Sequence, residues 1–259
     1  MGDCPLACPS TESIRLINKS GLPLSADSVD KLWSRVRRRH PDGRSVENRI
    51  RGSHSLTPPT LPKPPVLTGP MILSQKISLI QQYLLQLEYN HTGMQYFEVI
   101  KNRPISRLVD TARDIIRESL PIKCLEAVIL SIFLLASIDN LKMFVIGFKS
   151  EFKDKTHRHV VLGIFSEGRF GTVGLSRRPE LMYKPMKYET LTDLLMEFIE
   201  SYKECGHKVV KIDLSNGITH DLCSCEVIQW KFLTIIMREA TLEELKKQLA
   251  KYTHILRNS

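Results

Sequence analysis

The hydrophobic pattern of this 259-residue chain shifts near residue 140 from helical spacing to mostly strand-like segments, and that shift constrains the fold more than any other feature. Before it, apolar residues recur every three to four positions. Ile77, Ile80, Leu84 and Leu87 share one side of a helix predicted to begin near Ile72. Leu108, Val109, Ala112, Ile115 and Ile116 mark a second helix, with Ser106 as its expected N-cap. Pro121 breaks the chain and restarts it as an apolar helix over 124–138. Beyond residue 140 the segments 143–149, 159–165 and 169–175 read as strands. A helix over 190–203 opens on the capping-box pattern Thr190-Leu-Thr-Asp193. Strands at 207–214 and 226–237 and a last helix opening on Thr241-Leu-Glu-Glu244 complete the series. Helices first and mostly neighbouring strands afterwards imply an α+β fold with helices packed on an antiparallel sheet.

The N-terminal part is organised differently. Residues 1–20 carry no sustained period. Val29, Leu32, Trp33 and Val36 give an amphipathic helix over about 27–39, and Pro41 with Gly43 is expected to stop it. Residues 41–70 are polar and proline-rich and read as an extended arm. The expected division is therefore an N-terminal segment, 1–70, with an exposed Trp33 stripe, and a larger body, 71–259.

Composition narrows the partners. Lys and Arg number 37 against 28 Asp and Glu, a net charge of +9, which favours an acidic partner. The start, MGDCPLACPS, lacks a signal-peptide layout, and Leu6 breaks the myristoylation pattern after Gly2. The apolar run over 128–138 is too short to span a bilayer, so membrane insertion is not expected. Cys4, Cys8, Cys124, Cys205, Cys223 and Cys225 lack the spacing of a disulfide scaffold and read as reduced thiols in a cytoplasmic setting. Asn18 and Asn90 begin glycosylation-type triplets that, without an export signal, read as chance matches; unconventional secretion is left open.

The chemistry concentrates at two places. Pro121-Ile-Lys-Cys124-Leu-Glu-Ala-Val puts a thiol in the first turn of a buried helix, where unpaired N–H groups and the helix dipole favour a thiolate, and Lys123 adds a positive neighbour. Position alone leaves a structural cysteine as a live reading. The second place is a hairpin. Strands from His159 to Phe165 and from Arg169 onward flank Ser166-Glu167-Gly168, and a two-residue turn on Glu167-Gly168 sets residue 159 opposite residue 176. His159 would then meet either oxygen of Ser176, hydroxyl or main-chain carbonyl, as the group that orients a base. A cysteine at a helix start, a histidine on a following strand and a third group on the next is the layout of papain-like and transglutaminase-like enzymes. The residues alone leave equally open that His159 and Ser176 merely border a sheet.

Four motifs carry a resemblance. Tyr89-Asn-His-Thr-Gly93, Pro121-Ile-Lys-Cys-Leu-Glu-Ala-Val-Ile-Leu130, Arg158-His-Val-Val-Leu-Gly163 and Ser176-Arg-Arg-Pro-Glu-Leu-Met182 closely resemble the vasohibin family, over roughly Ile14 to the C-terminus. The resemblance implies a transglutaminase-like cysteine protease core and a tubulin tyrosine carboxypeptidase. By motif, Cys124 would be nucleophile, His159 base and Ser176 third member. Tyr89 would help bind the substrate tail or the oxyanion, and Lys123 and Arg177 would hold the terminal carboxylate. Lys101 and Lys149, with Arg178, belong to the wider basic surface expected to steer an acidic tubulin tail. No cofactor is implied. The implied partners are the α-tubulin tail, microtubules, and a small vasohibin-binding protein-like helix engaging the N-terminal helix and the body, with a cytoskeleton-associated location. Met94 and Tyr96 in the first motif and Ser131-Ile-Phe in the second depart from the family's usual residues, away from the proposed catalytic positions. The long basic C-terminal tail of some relatives is absent, which puts tail-dependent microtubule or heparin binding in doubt.

Other readings compete. Cys205-Gly-His207 and His220-Asp-Leu-Cys223-Ser-Cys225 offer zinc-ligand types without a CxxC pair, and His157 and His159 share a strand face without an evident third ligand. The HExxH, GxGxxG and Walker patterns are absent. Arg35, Arg37, Arg38 and Arg39 cluster without a nucleic-acid reader fold. A non-catalytic microtubule adaptor and an acyl transferase of transglutaminase type are the alternatives of different class.

Overall fold

The structure is a computed structural model and describes residues 16–258 apart from 56, 58, 68, 69, 239 and 240. Cys4, Cys8 and most of the patternless leading segment lie outside the described residues. The chain divides into two compact units, residues 1–56 with 90–96, and residues 57–89 with 97–259.

In the first unit, helix α1 (Ala26–Arg39) is capped by the Ser25 hydroxyl, which accepts from the Ser28 N–H. None of its residues is fully buried, in keeping with the amphipathic stripe read from Val29 to Val36. The chain does turn at Pro41, but the first part of the expected arm is helical, and no helix or strand follows among the described residues until Leu73. Gly43 opens a second helix, α2 (Gly43–Arg51). The close approach explains the glycine: a Cβ there would stand 2.7 Å from both the Arg37 Cα and the Val36 carbonyl oxygen. Charge pairing holds what a polar sequence conceals. Glu47 of α2, itself buried, takes Arg37 from α1 and Arg51 from its own helix, and Arg51 lies over the Trp33 ring. Two short parallel strands, β1 (Leu16–Ile17) and β2 (Met94–Gln95), complete this unit.

The second unit begins with α3 (Leu73–Gln86), α4 (Ile105–Glu118) and α5 (Cys124–Leu135). Ser106 lies inside α4 and is not its cap. The Ile105 and Ser106 N–H groups donate to the Glu226 and Ser224 carbonyls at 2.9 and 3.2 Å, so a distant backbone segment satisfies this helix start. The strands β3 (Lys142–Phe152), β4 (Lys155–Ser166), β5 (Arg169–Val173) and β6 (Lys184–Tyr188) are followed by α6 (Leu191–Glu204), β7 (Lys208–Leu214), β8 (Leu233–Ile236) and α7 (Leu242–Asn258). All six strands pair antiparallel in the order β6-β5-β4-β3-β7-β8. This is the expected α+β architecture, consistent with a transglutaminase-like or papain-like core.

Alternation along the strands splits the core into two layers. Phe144, Ile146 and Phe148 of β3 and Val161 and Phe165 of β4 pack with Leu194, Leu195, Phe198 and Tyr202 of α6 and Leu249 and Tyr252 of α7. The intervening Met143, Val145, Leu162 and Ile164 are buried on the opposite face, where α5 packs on β4 and is flanked by α3 and α4. The all-round apolar sequence of α5 follows: nine of its twelve residues are buried.

Candidate active site

Cys124 is the first residue of α5, with Lys123 at the N-cap in an extended conformation. Its entry is fixed from behind. Tyr89 and Ile122 form an isolated bridge, and the Ile122 N–H donates to the Glu88 carbonyl at 3.1 Å. A lysine cap has no acceptor to offer the first turn, but Glu126, three residues on, returns the other half of a capping box: its Oε2 accepts from the Lys123 N–H at 2.5 Å. Cys124 is half-buried.

His159 lies on β4, the strand on which α5 packs. The hairpin after it has the register expected from its turn. Glu167 and Gly168 both have positive φ, 49° and 76°, and Ser166 pairs with Arg169 through to Leu162 with Val173. The ladder then ends. The side-chain amide of Gln81, from α3, takes both backbone groups of Gly174, with Nε2 donating to its carbonyl at 2.9 Å and Oε1 accepting its N–H at 3.1 Å. The pairing with β4 stops at Val173, although Gly174 still lies against Val161, and residues 159 and 176 are not ladder partners. The Ser176 hydroxyl instead accepts from the Arg178 N–H at 3.2 Å.

The acceptor beside His159 is another carbonyl. Residues Pro179–Leu181 form a 3-10 turn, and the Leu181 carbonyl oxygen lies 2.6 Å from His159 Nε2. Leu181 is buried in the core and the Thr172 hydroxyl donates to the next carbonyl, Met182, which fixes the turn. A carbonyl only accepts, so Nε2 carries the proton and Nδ1 keeps its lone pair. Burial holds the imidazole well below its ordinary value, at about 4, against the weaker opposing effect of the Leu181 bond. The ring is thus held neutral, with Nε2 committed to Leu181.

Cations border the thiol. Burial lowers the Lys101 ammonium below the usual lysine value, the Cys124 charge opposes that shift, and Lys231 and Arg158 reinforce it. Lys101 is held by Trp230, whose indole N–H donates to the Lys101 carbonyl at 2.7 Å while the ring lies 4.7 Å beneath the ammonium. Arg177 lies over the Tyr89 ring at 5.4 Å, joining two residues singled out from separate motifs. Lys149 stands in the sheet opposite Arg158 and Lys211, beside the register shift after it. Leu181, Trp230, Arg158 and Lys231 are additions to the set read from sequence. Of these, Arg158 and Leu181 lay inside motifs already noted, Leu181 within the stretch over 176–182.

Two of the histidines considered for zinc are engaged elsewhere. The two ring nitrogens of His220 face the Ala136 and Leu141 carbonyls, and His207 bonds the Ser150 hydroxyl and stacks on Phe152. Among the described residues no helix is long and apolar enough to cross a membrane.

The vasohibin family model matches residues 14–257. The chain belongs to the vasohibin family. It is 39% identical over 241 residues to the protein called tubulinyl-Tyr carboxypeptidase 1 from Mus musculus, a match covering 93% of this chain. The matched region spans 64% of that relative's length. The motifs around Tyr89, Cys124, His159 and Ser176 all fall within the vasohibin match.

Proposed function

We propose that this vasohibin is a cysteine-type carboxypeptidase that removes the C-terminal tyrosine of α-tubulin. Cys124 is the nucleophile and His159 the base. The observation that carries this reading is the commitment of His159 Nε2 to the Leu181 carbonyl, which leaves Nδ1 as the nitrogen able to take the thiol proton. The Sγ attacks the scissile carbonyl carbon as its proton passes to Nδ1. The imidazolium then protonates the departing tyrosine nitrogen, leaving a thioester, and water activated by the same nitrogen hydrolyses it. Leu181 takes the orienting role first given to Ser176, through a main-chain oxygen.

Selection of chain ends follows from fixed cations. A terminal carboxylate carries a charge that an internal peptide bond lacks, and Lys123, Arg177 and Lys101 are the candidates to receive it, with Tyr89 backing Arg177. Lys149 belongs to the wider basic surface that attracts the acidic tail. A small helical partner of the vasohibin-binding type would cover the amphipathic α1. The similarity to the mouse carboxypeptidase supports this assignment.

The test compares a tubulin-tail peptide ending in free tyrosine with the same peptide ending in an amide. Cleavage of the free acid only, abolished in a folded Cys124→Ala chain, is the expected result. Equal cleavage of both peptides removes the carboxylate clamp, and full activity of Cys124→Ala removes the thiol mechanism.

A further inference from the structure

Glu126 is the only charged residue of α5, and it is wholly buried. Its Oε2 accepts from the Lys123 N–H, immediately before the nucleophile, and the Phe97 N–H also favours its charged form. Its other oxygen, Oε1, is buried without a hydrogen-bond partner. A glutamine would satisfy the same cap without an ionisable group, so helix capping alone does not require an acid here. Burying a half-satisfied carboxylate is costly, and the same turn of helix must also stabilise a thiolate.

We propose that Glu126 is a positioning residue for the nucleophile: it ties the Lys123 cap to the chain segment leading to Lys101, and its charge sets how readily Cys124 ionises. The proposal rests on the reading of Cys124 as nucleophile. In its ionised form the carboxylate grips the two N–H groups through charge-assisted bonds and holds the cap rigid. That same negative charge, two residues along, opposes the thiolate that the helix start favours. The protonated form reverses both effects, with Oε1 the natural place for the proton. Burial raises the carboxyl to about 7, with the Lys123 charge and the Lys123 and Phe97 N–H groups opposing it. The two forms therefore exchange near neutrality, where this site would work.

The experiment alkylates the full-length chain with iodoacetamide between pH 5.5 and 9 and locates modified cysteines by peptide mass spectrometry. Wild type, Glu126→Gln and Glu126→Asp are compared, with melting temperature as a check on folding. In Glu126→Gln the cap survives and the charge is lost, so Cys124 should react about three- to tenfold faster at pH 7, with its midpoint shifted to lower pH. Cys205 and Cys223 should be unaffected. Glu126→Asp keeps the charge and shortens the reach; its alkylation midpoint should not fall, while the KM for a free-acid tail peptide rises as Lys123 loosens. An unchanged Cys124 midpoint in folded Glu126→Gln, or an equal shift at every thiol, overturns the proposal. A wild-type Cys124 that never reacts faster than Cys205 overturns the nucleophile reading itself, and this proposal with it.

Discussion

His159 makes one short bond, and its consequences can be separated by mutation. If the Leu181 carbonyl orients the ring, Ser176→Ala should keep activity within a few-fold, because the hydroxyl it removes serves Arg178. His159→Ala should lose about a thousandfold or more of kcat, the usual worth of a positioned base. Parallel kinetics on a tail peptide decide it, and equal losses in the two variants would return the orienting role to the serine. The same histidine predicts a pH dependence of stability. Its folded-state value of about 4 lies below the unfolded 6.5, so between these values the unfolded chain binds more protons. Stability is then fully present above about pH 6.5 and is lost as pH falls toward 4, by at most roughly 3 kcal/mol. Melting curves across this window should slope less in His159→Gln than in wild type. Identical slopes would mean that the ring is solvated.

At the level of elements, the Lys101 loop depends on the segment over 221–232. Trp230 donates to the Lys101 carbonyl and supports its ammonium, while the Ser224 and Glu226 carbonyls cap α4. Trp230→Ala should therefore raise KM for a free-acid peptide about tenfold with a smaller change in kcat, and leave Cys124 alkylation intact. A pure kcat loss would separate Lys101 from substrate binding. This dependence was hidden in the sequence, where residues 226–237 look like one strand and only Leu233–Ile236 pairs. The helices α1 and α3 were legible from their apolar period, α6 from its Thr190 cap, and α5 from an unbroken apolar run restarted after Pro121. The hairpin register was legible because Glu167-Gly168 admits a turn with positive φ at both positions. By contrast, α2 carries its information in charges and β6 is two lysines, a proline and little apolar signal, so neither periodicity found them. In the site, the thiol and the imidazole were readable as side chains. Leu181 contributes a main-chain oxygen from an irregular turn, and no residue type announces that.

For the whole molecule, the net charge of +9 predicts two kinds of salt response. Steering of an acidic tail by the open basic surface, including Lys149 and Arg178, should fade as ionic strength rises past about 0.15 M, where the Debye length is roughly 8 Å. A carboxylate clamp at Arg177 and Lys123, closed over by substrate, should be screened much less. Raising salt should then increase KM for a long acidic tail more than for a short peptide, while Arg177→Ala costs both about tenfold to a hundredfold in kcat/KM. A short peptide as salt-sensitive as the long one would argue against a desolvated clamp.

The support that Trp230 gives Lys101 also sets an order of events during synthesis. Cys124 and His159 emerge from the ribosome long before residue 230, and the hairpin that carries the histidine needs only local pairing. A nascent chain can thus hold thiol and imidazole while the loop bearing Lys101 still lacks its anchor and α4 its cap. The anchor of the Lys101 loop therefore waits for a segment translated well after both, so a chain cut short of Trp230 would, on the proposed reading, carry the thiol and imidazole with its basic rim unsupported.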